Sequence, residues 1–342
     1  MAEDVARWLD LGTLDPVSLH STVQGLAEAQ SDDSAPVLAW ARASHPHVCL
    51  GASQGAEAEL DIDACRHAGI QIVRRPLGGG TVWVDSDQWA FFFIMPKVSS
   101  SSDRARFFAL ALAPARAVYR DYGLDVTAVG RGDLWLDGRK ILGSGAATIN
   151  RADVLGASFL LRFPAGRFAA ALQCPSPDYR RWLQDELRRT LTAWTEHAPA
   201  PSPEKLAECF RHHVEATYGW TLRNDRLSDC ERELATAARD DVTDVFDGPH
   251  RALVPGGVKL NHDTYLLESR ADVGWARLVL RGGRIDRIAL PDGEMAAALT
   301  GQVPTAAVIA PILERYAPRH EAARWARFLE RMTQPGRSLR DE

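Results

Sequence analysis

Two short runs in this 342-residue chain hold the residue types that chemistry on an anion requires. The first is Arg74-Arg75-Pro76-Leu77-Gly78-Gly79-Gly80-Thr81-Val82-Trp83. Three consecutive glycines leave successive backbone N–H groups uncrowded, so that they can converge on a bound oxyanion. The arginines just upstream add guanidinium forks that match phosphate. The same run equally suits a solvated turn between strands. It is not a P-loop, because no Gly-Lys-Ser/Thr follows, nor a dinucleotide-binding turn, because a strand follows rather than a helix. The second run extends from Gly132-Asp133 through Lys140 to Gly143-Ser144-Gly145-Ala146. A lysine on a hairpin strand beside a Gly-Ser-Gly segment can offer a compact charge to an anionic or carbonyl oxygen, and a solvated strand lysine is the plain alternative. Only Lys97, Lys140, Lys205 and Lys259 are lysines among 40 basic residues. Of these, Lys140 alone falls in a chemically interpretable segment.

Capping, periodicity and turn residues indicate the elements that must position these runs. A helix over 15–30 opens with Asp15 and Pro16. Strands follow over 37–42 and 48–51, a helix over 57–67, and a strand over 70–73 that runs into the arginines. A strand pair over 81–85 and 89–95 comes next, then a long amphipathic helix over 103–122. Residues 133–136 and 139–142 read as a hairpin, because Asp137-Gly138 suits a two-residue type I′ turn. A strand over 155–163 and helices over 178–197 and 203–218 complete this part. Alternation puts Trp89, Phe91, Phe93 and Met95 on one strand face and Phe92 and Ile94 on the other, best read as core. A polar stretch over 240–257 marks a boundary, giving expected domains of 1–245 and 246–342. The second holds a hairpin over 275–290 and helices near 293–299, 305–316 and 320–332.

The charge balance of 40 basic against 45 acidic residues, a net of −5, argues against a nucleic-acid partner. Residues 251–342 nonetheless carry 14 basic and 11 acidic side chains, an asymmetry that favours an acidic protein partner on the C-terminal part. No apolar run reaches the ~18 residues of a membrane span, and the first ten residues lack a secretory pattern, so a cytoplasmic location without membrane attachment is expected. The five cysteines form no C-x-x-C pair and read as reduced, mostly buried thiols. His45/His47 and His212/His213 have no carboxylate at ligand spacing, and the sequence assigns no metal ligands.

Together, the R-R-x-x-G-G-G-x-V loop and the later Asp133 and Lys140-x-x-Gly143-Ser144 segments resemble the lipoate-protein ligase family, within the biotin/lipoate ligase superfamily. Element order over about 15–220 resembles that family's catalytic domain, and the tail from 264 resembles its accessory domain. The resemblance implies an α+β fold, a large mixed-sheet catalytic domain with a small α+β C-terminal domain. It implies an enzyme that activates lipoate or octanoate with ATP and Mg2+ as an acyl-adenylate. The acyl group then passes to a lysine of an acidic lipoyl-carrier domain: an E2 domain, an H protein or a dedicated lipoate-binding protein. Lys140 is the implied catalytic residue. Arg74, Arg75, Gly78, Gly79, Gly80, Thr81, Val82, Trp83, Asp133 and Ser144 are the implied adenylate-binding residues. Three departures stand out: Gly132 where the family has Asn, Val84 where it has His, and Gly156 where it has a second His. An octanoyltransferase would need a cysteine near Lys140, and 131–160 contain none. A non-catalytic carrier-binding homologue is the third reading.

Overall fold

The computed structural model describes residues 4–97, 106–107, 109–130, 132–246 and 252–333. Two compact units emerge, Met1–Leu172 with Arg189–His250, and Gln173–Arg188 with Arg251–Glu342.

The first unit is built on an eight-stranded mixed sheet. Its strands are β1 (Asp4–Leu14), β2 (Val37–Ala43), β6 (Gln88–Pro96), β7 (Thr127–Val129), β8 (Asp133–Leu136), β9 (Arg139–Ile149), β10 (Ala152–Leu160) and β11 (Trp220–Asn224). Their order is β11-β1-β2-β6-β10-β9-β8-β7. β1 runs parallel to β2 and β11, and the remaining neighbours are antiparallel. A separate three-stranded sheet orders β4 (Gln71–Arg74), β3 (His47–Leu50) and β5 (Val82–Val84).

The apolar strands bury both faces of the large sheet. Phe91, Phe93 and Phe159 join Val118, Tyr119, Phe210 and Val214 from the helices Ala113–Asp121 and Pro203–Tyr218 in one core. Phe92, Ile94 and Val154 join Leu19, Val23 and Leu26 of the helix Pro16–Glu28 in the other. That helix starts as its sequence dictates: Asp15 accepts a hydrogen bond from the Ser18 amide, and Pro16 occupies the first turn, where no N–H is needed. The Phe-rich strand is thus core on both faces, as its alternation suggested.

Several elements differ from the sequence expectation. β1 was not anticipated, because Arg7 and Asp10 interrupt its apolar run. The expected helix over 57–67 is two helices, Ala56–Glu59 and Ile62–His67, because Asp61 accepts from the Ala64 amide and caps a fresh start. β5 and β6 do not pair: β5 bonds to β3 and β6 lies between β2 and β10. Residues 103–105 and 108 of the expected helix over 103–122 lie outside the described residues.

The second unit has an antiparallel sheet in the order β12 (Gly257–Lys259), β13 (Thr264–Ala271), β14 (Gly274–Arg281), β15 (Arg284–Ala289). The helices Gly293–Leu299, Ala306–Leu313 and Arg319–Met332 pack on it through Leu278, Ile309, Trp325 and Leu329. Residues 173–188 group with this unit rather than with the first. Tyr179 is fully buried, with its hydroxyl donating to Leu266 O at 3.0 Å, and Arg287 lies 3.7 Å over the Trp182 ring. Among the described residues no helix is long and apolar enough to cross a membrane.

Candidate active site

The lysine hairpin forms as the turn residues require. Asp137 and Gly138 both take positive φ, 50° and 75°, which returns Arg139 and Lys140 along β8. A register shift at Leu134/Trp135 breaks the regular ladder beside Lys140. The Lys140 side chain lies along β9, and its Nζ stands 2.8 Å from Asp133 Oδ1. This pair is only partly exposed, with 23% of the lysine and 14% of the aspartate side chain accessible. Such a pair is protected from full solvent screening. Gly143 makes the arrangement possible, since a Cβ there would fall 2.4 Å from both Lys140 Cε and Nζ.

Gly145, two residues further along β9, faces the same side as Gly143. A Cβ at Gly145 would meet Gly78 O at 2.9 Å and Leu77 Cβ at 3.6 Å, so the glycine loop sits directly over this strand. The Gly78 amide donates to Ala146 O at 3.1 Å and fastens the loop there. One face of β9, free of side chains at Gly143 and Gly145, thus carries the lysine amine near Gly143 and the glycine loop at Gly145, about 7 Å further along. Gly79 takes φ 98°, a conformation costly for other residues. Among the described residues, the Gly79 and Gly80 amides donate no hydrogen bond within the protein. They are suitable donors for an anion.

Neither arginine stands as an open fork, and of the two only Arg75 bonds the glycine loop. Arg75 is buried and donates to Cys49 O at 3.0 Å, Gly78 O at 3.1 Å and Gly80 O at 2.8 Å. Arg74 donates to Gln54 O at 2.5 Å and Val245 O at 2.9 Å. These bonds to carbonyls engage the guanidinium donors, and those of Arg75 keep its positive charge beside the loop.

Thr81 donates to Gln54 Oε1 at 3.2 Å, and Val82 is exposed. Trp83 is buried, with its indole N–H donating to Asp85 Oδ2 at 2.7 Å and Arg167 5.0 Å over its ring. Burial pushes the Asp85 carboxyl above its ordinary range. Ser144 alternates to the face of β9 opposite Gly143 and Gly145, where its hydroxyl donates to Gly132 O at 2.9 Å. The structure therefore brings together Lys140, Asp133 and Gly78 to Gly80, while Trp83 and Ser144 are engaged elsewhere.

Sequence reasoning missed Gln54, a buried side chain whose Oε1 accepts from both the Gly51 amide and Thr81. A lone glutamine in a loop gives no pattern to find. The two sequence departures in this region have steric counterparts. The space of a Cβ at Gly132 is taken by Ser144 Oγ, 2.4 Å away. At Gly156 it is taken by Phe92 Cδ1 and Leu77 Cδ1, at 2.7 and 2.8 Å.

Cys49 and Cys65 are buried, Cys174 and Cys209 partly buried and Cys230 exposed, so the thiols are less uniformly buried than composition suggested. Burial raises the Cys49 thiol above its usual range despite the adjacent Arg75, which leaves it poorly suited to nucleophilic attack.

Known proteins resemble the chain in parts of its sequence and in its fold. Lipoate–protein ligase 2 of Staphylococcus aureus is 33% identical over 117 residues, covering 34% of each chain. Octanoyltransferase LipM of Carboxydothermus hydrogenoformans is 40% identical over 57 residues, 17% of this chain and 21% of that one. The chain spans about a third of the length of the leading curated relatives it matches. The bipartite lipoate protein ligase of Thermoplasma acidophilum, from a structural study with its E2 lipoyl domain, superposes with a TM-score of 0.64 at 22% identity. That superposition covers 69% of this chain and 92% of the other and shows the same mixed-sheet fold. A family model described as the lipoyl protein ligase A/B catalytic domain matches residues 19–215, more than half of the chain, and the protein belongs to that family.

Proposed function

We propose that the protein is an ATP-dependent ligase that activates lipoate, or octanoate, and joins it to a lysine of a lipoyl-carrier domain. The observation that carries this reading is the pair Gly143 and Gly145 on one face of β9, where the Lys140 amine lies over the first and the glycine loop over the second.

In the first half-reaction a carboxylate oxygen attacks the α-phosphorus of MgATP; the new O–P bond forms as the bond to pyrophosphate breaks. Two anions must approach, so fixed positive charge and amide donors are what the site has to supply. Lys140 is the proposed catalytic residue, its ammonium set between the acyl carbonyl and α-phosphate oxygens. The Gly79 and Gly80 amides are the proposed phosphate donors, and MgATP enters as a co-substrate. Asp133, Arg75 and Gly143 are positioning residues: Asp133 holds the amine, Arg75 holds the loop, and Gly143 leaves room for the amine. In the second half-reaction the acceptor lysine, as a neutral amine, attacks the acyl carbon. The acyl–phosphate bond breaks, AMP leaves, and the attacking nitrogen gives up a proton to solvent. Lys140 stabilises the oxyanion in both steps.

A carrier-to-carrier transferase is the weaker reading, because it requires a nucleophilic thiol and residues 131–160 contain no cysteine. The assay supplies purified protein with lipoate, MgATP and an apo acceptor domain and follows acceptor mass. The ligase reading requires a lipoyl adduct that depends on ATP. Transfer from an octanoyl-carrier without ATP supports the transferase instead.

A further inference from the structure

Away from the glycine loop, the helices Ala113–Asp121 and Pro203–Tyr218 bring three groups of metal-ligand type together. Cys209 and His213 are four apart on the second helix and so share one face. Asp121 is the last residue of the first helix, the end where the backbone dipole favours a cation. His213 Nε2 lies 2.6 Å and Cys209 Sγ 3.6 Å from the same oxygen, Asp121 Oδ2. The three donor atoms all lie within 4.8 Å of one another. The sequence alone gave these histidines no carboxylate, because Asp121 reaches them only through helix packing.

We propose that Asp121, Cys209 and His213 form a binding site for a thiophilic divalent cation of the zinc class that pins these two helices together. Around a tetrahedral zinc, with bonds of about 2.0–2.3 Å, neighbouring ligand atoms stand roughly 3.3–3.7 Å apart. The sulfur–oxygen spacing of 3.6 Å already meets this. The imidazole–carboxylate spacing of 2.6 Å has to open by less than 1 Å, and the exposed Asp121 side chain has room to do so. A thiol, an imidazole and one carboxylate select zinc-class ions over magnesium or calcium, which prefer all-oxygen sites. Solvent supplies the fourth ligand on the exposed side.

Binding is balanced by proton movements. Cys209 gives its S–H proton to solvent as the S–metal bond forms. His213 loses its Nε2–H to solvent and takes a proton at Nδ1, so that neutral Nε2 coordinates. Without the ion, burial and the hydrogen bond to Asp121 push the Cys209 thiol up to about 11, and coordination reverses that preference. Both helices seal the core through Val118, Tyr119, Phe210 and Val214, so the ion would act as a tether on the fold, independent of the acyl chemistry.

The test titrates the reduced full-length protein with Co2+ and then Zn2+. A thiolate-to-cobalt charge-transfer band in the near ultraviolet, saturating at one equivalent and displaced by Zn2+, is expected. Cys209→Ser should abolish the band, and Asp121→Asn and His213→Ala should each weaken Zn2+ binding about tenfold or more. Circular dichroism verifies that the variants are folded. Absence of the band in the wild-type protein, or its persistence in Cys209→Ser, overturns the proposal and leaves an ordinary His–Asp hydrogen bond.

Discussion

Among single residues, the proposed chemistry rests on how one ammonium is held. Lys140 bends over a glycine and is gripped by Asp133, so its position depends on an absence at 143 as much as on a presence at 133. Lys140→Ala should lower adenylation and transfer by ~10²–10³, the usual cost of removing one preorganised donor, while the melting temperature changes little. Steady-state rates with MgATP and lipoate measure this, and wild-type rates in the variant would remove Lys140 from the mechanism. Gly143→Ala makes a sharper case. Its Cβ would displace only the tip of a flexible side chain, so stability should be retained, yet the Lys140 amine must leave its place over residue 143. A variant with a normal melting curve and a rate near that of Lys140→Ala is expected; full activity would show that the amine's position over Gly143 is unimportant. The charge and spacing of Lys140, Asp133 and the glycines were legible in the sequence. That Arg74 and Arg75 bond carbonyls was not, because their acceptors Gln54, Val245 and Cys49 come from distant turns and strands.

Among elements, local chemistry was legible and assembly was not. The Asp137-Gly138 turn and the Asp15-Pro16 helix start follow from backbone preferences of the residues themselves. β1 eluded the pattern because its pairing with both β2 and β11 is what makes it a strand. Helix packing supplies one prediction here. A Cβ on Gly25 would lie 2.4 Å from the Ala235 backbone nitrogen, where the helix Pro16–Glu28 meets the helix Asp229–Ala237. Gly25→Val should therefore destabilise the protein by about 1–3 kcal/mol, read as a lower urea midpoint. An unchanged midpoint would mean that these helices separate freely.

The same helix buries His20 against His47 of β3, with Nε2 to Nε2 at 3.0 Å. Burial holds His20 well below its ordinary value and lowers His47 to about 4. The unfolded chain, with histidines near 6.5, therefore binds more protons than the folded one between about pH 4 and 6.5. Stability should be complete above pH 6.5 and fall as pH drops toward 4, by about 3 kcal/mol from His47 alone. Denaturant midpoints across that window test this, and a flat profile would place the charged forms comfortably in the folded state.

For the whole molecule, the sequence divided the chain at 245/246, whereas the compact units assign 173–188 to the C-terminal part. The reason is side-chain packing invisible to composition: Tyr179 and Trp182 belong to the core and aromatic contacts of β13 to β15. That unit's excess of basic residues fits the proposed acidic acceptor. Raising ionic strength well beyond 0.1 M should increase the acceptor KM several-fold while adenylation without acceptor stays constant, because charge steering is screened beyond about 10 Å. A salt-independent KM would point to an apolar docking surface. The proposed ligation is measured most simply as the mass of an apo lipoyl-carrier domain after incubation with the protein, lipoate and MgATP. A single lipoyl adduct on the acceptor lysine is expected, absent without ATP and nearly absent with Lys140→Ala. An adduct that forms equally without ATP, or at the wild-type rate in that variant, would contradict it.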